Sequence, residues 1–458
     1  MIISFSGRKS SGKTTLSNYL VQNGYQKISF ATELKSLVAQ LYNLNIDDLS
    51  DSIKKEEVLE KPLIWDKKKA NELGNIIGAS KSLVSDFKQF GSIREALQFI
   101  GTEVLRQYDN DFHVKSLQKY IKSDENYVLD DVRFHNELSL LKGMGAICIY
   151  IVRPYYFEKY SNHESEVQLN RCDFEYIILN NKTEISLIKQ FKRFYKHLIC
   201  PSRRKDLSRK KLVGLLKSKS TTQISHLLNC SRDAVVWWCN RYLIPILRND
   251  YKLNHDAFYG CNARSAYMAG LLSADGCVKK SNKNAYVLEL SSDDKELITE
   301  FRKFLKTNKP PYCRKRDNGK TGYLLTINSP FILDDMKLWN IEPRKSKFNK
   351  IPDRLRDSSL FKYWLVGLID GDGSIFTIHD GGSICITILG SKEIIEYVKN
   401  QYEHIDSAVS QEKNIDNLFT LRFHGKNAVI LYKKIYCGVG LKRKWDKVKP
   451  FLKKKWLH

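Results

Sequence analysis

Apolar and polar positions along the chain fall into three kinds of pattern. The chain opens on a short apolar run, Ile2–Phe5, followed by a polar glycine-containing loop and a helical pattern through Leu16 and Leu20. That order predicts strand, loop and helix. A second buried-strand run, Tyr127–Leu129, stops at Asp130-Asp131-Val132-Arg133. After a polar, basic stretch, Cys200–Asp206, the pattern turns helical again. Ile224, Leu227 and Leu228 form one apolar face, and Asn229–Ser231 a tight turn with Ser231 as N-cap. Val235, Trp238 and Tyr242 then face inward. This predicts a helix-turn-helix, with Arg232, Trp237 and Arg241 as candidates for DNA contact in the major groove. A plain helical hairpin in a linker is the alternative.

The third pattern is a repeat. Leu365–Ile375 reads LVGLIDGDGSI, an apolar helix ending in aspartates and glycines. Met268–Gly276, 97 residues earlier, reads MAGLLSADG. At the same offset Asp275 pairs with Asp372, Gly276 with Gly373, Lys295-Glu296 with Lys392-Glu393, Leu324 with Leu421, Lys345 with Lys442, and Lys347 with Lys444. One gapless register over this span marks an internal duplication. Each copy predicts a helix ending in Asp-Gly and then a hairpin, Val278–Leu290 turning near Asn282, or Ser374–Ile388 turning at Asp380-Gly381. A helix follows, Lys295–Leu305 or Lys392–Tyr402, then strands including Tyr323–Ile327 or Phe419–Phe423, and a last helix. The plan is αββαββα, twice.

Gly270 and Ala274 are four residues apart, as are Gly367 and Gly371, so each pair shares a helix face. Two small stripes let two helix backbones approach closely about a pseudo-twofold. Asp275 and Asp372 then meet at helix C-termini, where the dipole disfavours negative charge. A cation offsets that cost, and paired carboxylates with open coordination suit Mg²⁺.

Charge sharpens the division. The chain has 458 residues and a net charge of +25, room for several domains. Residues 1–200 hold 28 Lys+Arg against 25 Asp+Glu, and residues 201–458 hold 48 against 26. A basic half joined to a near-neutral half points to a polyanion as partner of the second. The ten cysteines include no C-x-x-C pair, and Cys230 and Cys239, the nearest two, have no matching histidine spacing, so neither a zinc nor a disulfide framework is indicated, which favours a reducing compartment. The N-terminus has no signal layout and no run is long enough to span a membrane, so the expectation is a cytoplasmic location.

Gly7-Arg-Lys-Ser-Ser-Gly12-Lys13-Thr14-Thr15 follows the first strand and opens the first helix. This is G-x-x-x-x-G-K-T in its strand–loop–helix context, a P-loop for ATP. Lys13 is expected on the β/γ-phosphates and the Thr14 hydroxyl on Mg²⁺. Asp131 and Arg133, at a strand's C-terminal end, lie where open α/β sheets place ligands and could take Mg²⁺ and phosphate; a surface ion pair is the plainer reading.

Several motifs occur in order: Phe30–Lys35, Arg94–Arg106, Asp131–Glu137, Arg153-Pro154 and His163–Glu166. Together they resemble the phage-type deoxynucleoside monophosphate kinase family over about residues 1–195. The resemblance implies phosphoryl transfer from ATP to a dNMP, with Arg94, Asp131 and Arg133 as acceptor-side or Mg²⁺ candidates. His135 stands where that family usually has proline, and Thr32 where aspartate is common.

The duplicated half resembles the monomeric, two-motif LAGLIDADG homing endonucleases over about residues 255–458. The resemblance implies a saddle of two antiparallel sheets, double-strand DNA cleavage with Mg²⁺, and a mobile genetic element in a phage- or virus-infected or microbial cell. It places the catalytic, metal-binding acids on Asp275 and Asp372 and a basic residue near each on Lys345 and Lys442. Lys279, Lys280, Lys283, Arg314, Lys315 and Arg316 would line the saddle. Ser273 stands where the first motif usually has an acid.

The expected architecture is multidomain α/β and α+β. Residues 1–198 would form a P-loop parallel-sheet domain, 199–250 a linker with the helix-turn-helix, and 251–458 the saddle, with copies at about 263–350 and 360–450. The partners implied are double-stranded DNA, ATP and a dNMP, with the nuclease half a monomer and no membrane. Two other readings stay open: a nuclease carrying an inactive kinase remnant, and a non-cleaving sequence-specific DNA-binding regulator. An intein is not expected: it would need a Cys or Ser start, a splicing core flanking the nuclease and a terminal His-Asn before Cys, Ser or Thr, whereas the chain ends Lys-Trp-Leu-His458 with almost nothing after the second copy.

Overall fold

The computed structural model describes residues 1–51, 53–154, 168–199, 207–216, 219–247, 251–280, 286–315, 321–343, 350–378, 382–412 and 417–453. The chain forms two compact units, the first from Met1–Arg153 with Ser161–Ile246 and the second chiefly from Leu247–His458.

The first unit is built on a five-stranded sheet. Its order is Gln26–Lys27, Tyr127–Leu129, Ile2–Ser6, Ile147–Val152 and Tyr176–Leu179, with every pair parallel. Helices cover its faces, so the inner strands are buried past their first residues and read as apolar runs rather than alternation. Helices Lys13–Val21 and Glu184–Ile199 pack over Ile3, Phe5 and Ile149 through Leu16, Leu20, Leu187 and Phe191. A second core lies among helices Thr32–Tyr42, Lys67–Ile77 and Ile93–Phe99 and the antiparallel pair Leu63–Trp65 and Lys88–Phe90.

Residues 207–246, expected as part of a linker, fold onto this first unit. Helix Thr221–Leu227 starts at a capping box, Ser220 with Gln223. The turn passes through Asn229 at φ 47, and Ser231 caps helix Arg232–Arg241 by accepting from the Ala234 N–H. Ile224, Val235, Trp238 and Cys239 form a small core of their own with Leu207 and Leu212. That core contains one helix the sequence pattern did not indicate, Arg209–Leu216.

The second unit contains the duplicated plan. Its sheets run Tyr312–Lys315, Thr321–Ile327, Tyr286–Ser292, Gly276–Lys280, and Ser374–Ile378, Ser383–Gly390, Phe419–His424, Ala408–Gln411, all antiparallel. Helix Lys295–Phe304 recurs as Lys392–Gln401 at the 97-residue offset. Both expected hairpin turns, near Asn282 and at Asp380-Gly381, lie outside the described residues.

Motif helices Ala263–Asp275 and Phe361–Gly371 pack at their glycines. A Cβ on Gly270 would lie 1.9 Å from the Trp364 carbonyl oxygen, and one on Gly367 would lie 2.0 Å from that of Tyr267. The two contacts are reciprocal, as a pseudo-twofold requires. Buried Trp339, Trp364 and Trp445 share one continuous core spanning both copies.

Candidate nuclease centre and nucleotide cleft

Asp275 ends the first motif helix, and Asp372 is the C-cap of the second. The glycine contacts set the two ends side by side. A Cβ on Gly371 would touch that of Ala274 at 2.3 Å and lie 3.5 Å from Asp275 Oδ2. The first aspartate's carboxylate therefore rests against the residue preceding the second. Two acids at two helix C-termini gather negative charge where both dipoles also point negative.

Lys444 brings a cation to this point. Its Nζ donates to the carbonyls of Ile369 at 2.6 Å, Asp370 at 3.1 Å and Gly373 at 2.7 Å. It thus holds the turn that carries Asp372. Burial pushes its ammonium pKa below the ordinary lysine value, while Asp370 and Asp275 oppose that shift. Lys442, expected as the basic residue, is exposed at the start of the four-residue helix Lys442–Trp445. The residue brought to the centre is the other lysine of the repeat register. Lys345 and Lys347, their counterparts in the first copy, lie outside the described residues.

Asp370 takes a different part. It is buried and accepts from Tyr267 Oη at 2.9 Å, Trp445 Nε1 at 2.9 Å and the Leu441 N–H at 2.7 Å. Burial raises its pKa, and these donors counter that. It ties the first copy's helix, through Tyr267, to the segment bearing Lys444. At the matching position of the first copy stands Ser273, also buried.

The strand registers sort the candidate saddle residues. Cross-strand partners and alternate residues share a face, which puts Lys279 and Arg314 on one face and Lys280 and Lys315 on the other. Lys279 is paired with Glu289 at 2.6 Å, so part of its charge is already offset. Arg422 occupies the corresponding outer face of the second sheet, in register with Thr387 and Ala408. The sequence reading missed it, although Thr420, Arg422 and His424 alternate along that strand. Lys283 and Arg316 lie outside the described residues.

In the first unit the P-loop leaves the central strand where the sheet order reverses. Gly7 at φ 139 and Gly12 at φ 106 adopt backbone that a side chain would strain, and a Cβ on Gly7 would meet the Ile151 carbonyl oxygen at 2.4 Å. The loop is braced by Arg153 Nη1 on the Ser10 carbonyl at 2.7 Å and Asn180 Nδ2 on that of Ser11 at 2.8 Å. Lys13 Nζ folds back onto the Gly7 and Arg8 carbonyls at 2.7 and 2.8 Å. Thr14 is exposed and Thr15 half-buried in the first turn of helix Lys13–Val21. Ser6, Gly7, Lys13, Asp130, Arg133 and Tyr150 line a small cleft above the strand ends.

Asp130 pairs with Lys27 at 2.7 Å. Asp131 accepts from Ser29 Oγ at 2.5 Å and the Ala31 N–H at 3.2 Å through Oδ2. Among the described residues its buried Oδ1 has no hydrogen-bond partner. Desolvation pushes its pKa up, with the Asp130 charge adding to the shift and the Ser29 bond opposing it. An orphaned carboxylate oxygen near a P-loop fits a Mg²⁺ donor set.

Cations gather further along. Lys55 is pushed down to about 8 by burial first and then by Lys35, Arg94 and Arg133. Glu56 is the acid among them, bonded by Lys9 at 2.9 Å and Arg94 at 2.6 Å. Lys9 and Lys55 were not singled out from sequence, because lone lysines on loops carry no pattern. A cleft of about 390 Å³ opens elsewhere in the first unit, where Phe134 follows Arg133 in the chain. It is lined by Arg106, Gln107, Asn110, Phe134, His135 and Asn136, among others. Arg106 lies 3.5 Å over the Phe134 ring and pairs with buried Glu137, which also accepts from the Arg133 and Phe134 N–H groups. His163–Glu166 lie outside the described residues.

Among the described residues no helix is long and apolar enough to cross a membrane.

Comparison with known proteins gives two family matches. Residues 49–191 match the family described as deoxynucleotide monophosphate kinase, and residues 262–333 match a LAGLIDADG-like domain. A putative deoxynucleotide monophosphate kinase of Acanthamoeba polyphaga mimivirus is 28% identical over 200 residues, covering 40% of this chain and 90% of that protein. Among solved structures, the homing endonuclease I-WcaI bound to its DNA recognition sequence is similar at 14% identity and a TM-score of 0.32, covering 43% of this chain and 90% of that one. The LAGLIDADG homing endonuclease I-LtrWI bound to target DNA gives 14% and 0.29, covering 43% and 92%.

Proposed function

We propose, on the premise that this chain joins a deoxynucleotide monophosphate kinase-type domain to a LAGLIDADG-type domain, that it is a site-specific double-strand DNA endonuclease whose first unit also transfers phosphate from ATP to a deoxynucleoside monophosphate. The observation that carries the nuclease reading is the apposition of Asp275 and Asp372 across the glycine contact. Each acid serves one strand. Their oxygens suit Mg²⁺, which when bound would supply an activated water and stabilise the leaving oxygen. Lys444 orients the Asp372 turn through three carbonyls. The basic excess of residues 201–458 supplies phosphate contacts, so binding weakens steeply as salt rises.

In the first unit, Lys13 exchanges its carbonyl partners for the ATP β/γ-phosphates, and Thr14 and Asp131 would hold the accompanying Mg²⁺. Lys55, Arg94 and Arg133 receive the acceptor phosphate. The acceptor base enters the larger cleft, between the Phe134 region and the amides of Gln107, Asn110 and Asn136.

The nuclease test is incubation of the full chain and Mg²⁺ with a duplex carrying this chain's kinase-coding region without the nuclease-coding segment, the target class the family resemblance implies. The expected product is a double-strand break at one position. The kinase test follows radiolabelled phosphate from ATP to each of the four dNMPs, with Lys13→Ala as control. Transfer to at least one is expected from the parent and none from the variant. Equal transfer by both would overturn the kinase reading.

A further inference from the structure

The helix-turn-helix is built into the P-loop unit. Helix Arg232–Arg241 packs on helix Glu184–Ile199 of that unit. Arg209 lies 5.0 Å over the Tyr176 ring of the parallel sheet's edge strand and bonds Glu175 through its carbonyl and its carboxylate. Its Nε donates to the Tyr242 carbonyl at 3.2 Å, and Tyr242 Oη returns to the Leu207 carbonyl at 2.8 Å.

Leu243 is the pin. It follows the helix C-cap at φ 48, a left-handed backbone usually given to glycine. The Ile244 N–H closes the helix end on the Cys239 carbonyl at 2.8 Å. A leucine there is strained but only 1% exposed, within the cluster of Ile3, Phe5, Leu16, Leu20 and Phe191. That is the core beneath the P-loop. The strain is offset by what the side chain fills.

With Val235, Trp238 and Cys239 buried, the opposite face of helix Arg232–Arg241 carries Asp233, Trp237, Asn240 and Arg241, while Arg232 is exposed at the helix N-terminus, its Nε donating to Thr221 Oγ1 at 3.3 Å. Trp237 is 48% exposed and Arg241 lies 4.8 Å over its ring. Residues 207–247 hold seven Lys or Arg and a single acid, Asp233. An exposed aromatic stacked by an arginine, on a helix presented by a turn, in a segment of that charge, is complementary to duplex DNA.

We propose that the P-loop unit is itself a DNA-binding unit. Its helix Arg232–Arg241 enters a major groove, and the kinase-type sheet is thereby held on the DNA independently of the LAGLIDADG copies. This goes beyond cleavage and does not depend on it.

Hydrogen exchange of the full chain, with and without a 30-base-pair duplex of arbitrary sequence at low salt, tests the proposal. Backbone phosphate binding needs no target sequence. The expected result is protection over residues 221–242 as well as over the hairpin strands 276–292 and 374–390. Arg232→Glu, an exposed charge reversal, and Trp237→Ala should each lose protection over 221–242, keep it over the hairpins, and weaken binding about tenfold. Protected hairpins with unchanged exchange over 221–242 would overturn the proposal and leave the nuclease reading standing. Protection over 221–242 alone would uphold it and overturn the nuclease reading. No protection anywhere would overturn both.

Discussion

Gly270 stands directly beneath the Trp364 carbonyl, and Gly367 stands in the same relation to Tyr267. This reciprocal contact decides where Asp275 and Asp372 end up. It is made against backbone, which cannot rotate away as a side chain can. Gly270→Ala and Gly367→Ala should therefore each destabilise the second unit by at least the ~1–3 kcal/mol typical of overpacking, and abolish cleavage. Gly143, in helix His135–Gly143, has open space where a Cβ would point. Gly143→Ala should stabilise the first unit slightly, by about 0.5–1 kcal/mol. Calorimetry of the full chain checks both, since only the transition of the unit that carries the substitution should move, downward for Gly270→Ala and Gly367→Ala and upward for Gly143→Ala.

Lys444 and Lys442 are two residues apart and are expected to behave differently. Lys444→Met leaves three helix-end carbonyls without their shared donor, a loss of about 1–3 kcal/mol for each group left unsatisfied. Cleavage should fall at least tenfold. Lys442→Met changes an exposed side chain, and the rate should stay within twofold. The comparison is a single-turnover cleavage rate at saturating protein. The reverse ranking would assign the role to Lys442.

His113 makes the first unit acid-sensitive. Burial first, then Arg106, pushes its pKa down to about 4 from the ordinary value of 6.5. The folded state keeps the neutral ring, while the unfolded chain takes up a proton below about 6.5. Stability from this group is thus fully present above that pH and declines as pH falls toward 4, by up to about 3 kcal/mol. Glu137 acts in the opposite sense. Burial raises it to about 7, so its contribution falls as pH rises through that value. Urea unfolding of the parent and His113→Gln at pH 7 and 5 isolates the histidine. The parent should lose more stability between the two pH values than the variant does, and equal losses would count against the assignment.

What the sequence made legible was local. The P-loop is one loop between a strand and a helix, and its glycines, lysine and threonine are fixed by backbone conformation. The duplication survives as a single offset, so the copies could be matched element by element, down to the coincident helices Lys295–Phe304 and Lys392–Gln401. Contacts that depend on distant residues were not legible. In Lys442-Arg443-Lys444-Trp445 nothing in composition separates the two lysines. The distinction comes from Trp445 bonding Asp370, which turns Lys444 toward the helix end. The attachment of residues 207–246 was hidden for the same reason. Leu243 at a helix end, Arg209 on Glu175 and Tyr176, and the packing of helix Arg232–Arg241 on helix Glu184–Ile199 carry the contact, each with a partner distant in sequence, and the polar, basic stretch before them reads as a linker. Asp131 shows the same division. Its place at a strand end followed from pattern, whereas its orphaned oxygen required the neighbours Ser29 and Ala31.

The most direct measurement is double-strand cleavage by Asp275→Asn and by Asp372→Asn, each compared with the parent in Mg²⁺ on the same duplex, with binding followed in parallel. The account predicts that either substitution reduces double-strand cleavage to background while DNA affinity stays within a few-fold of the parent. Full double-strand cleavage by either variant would contradict it.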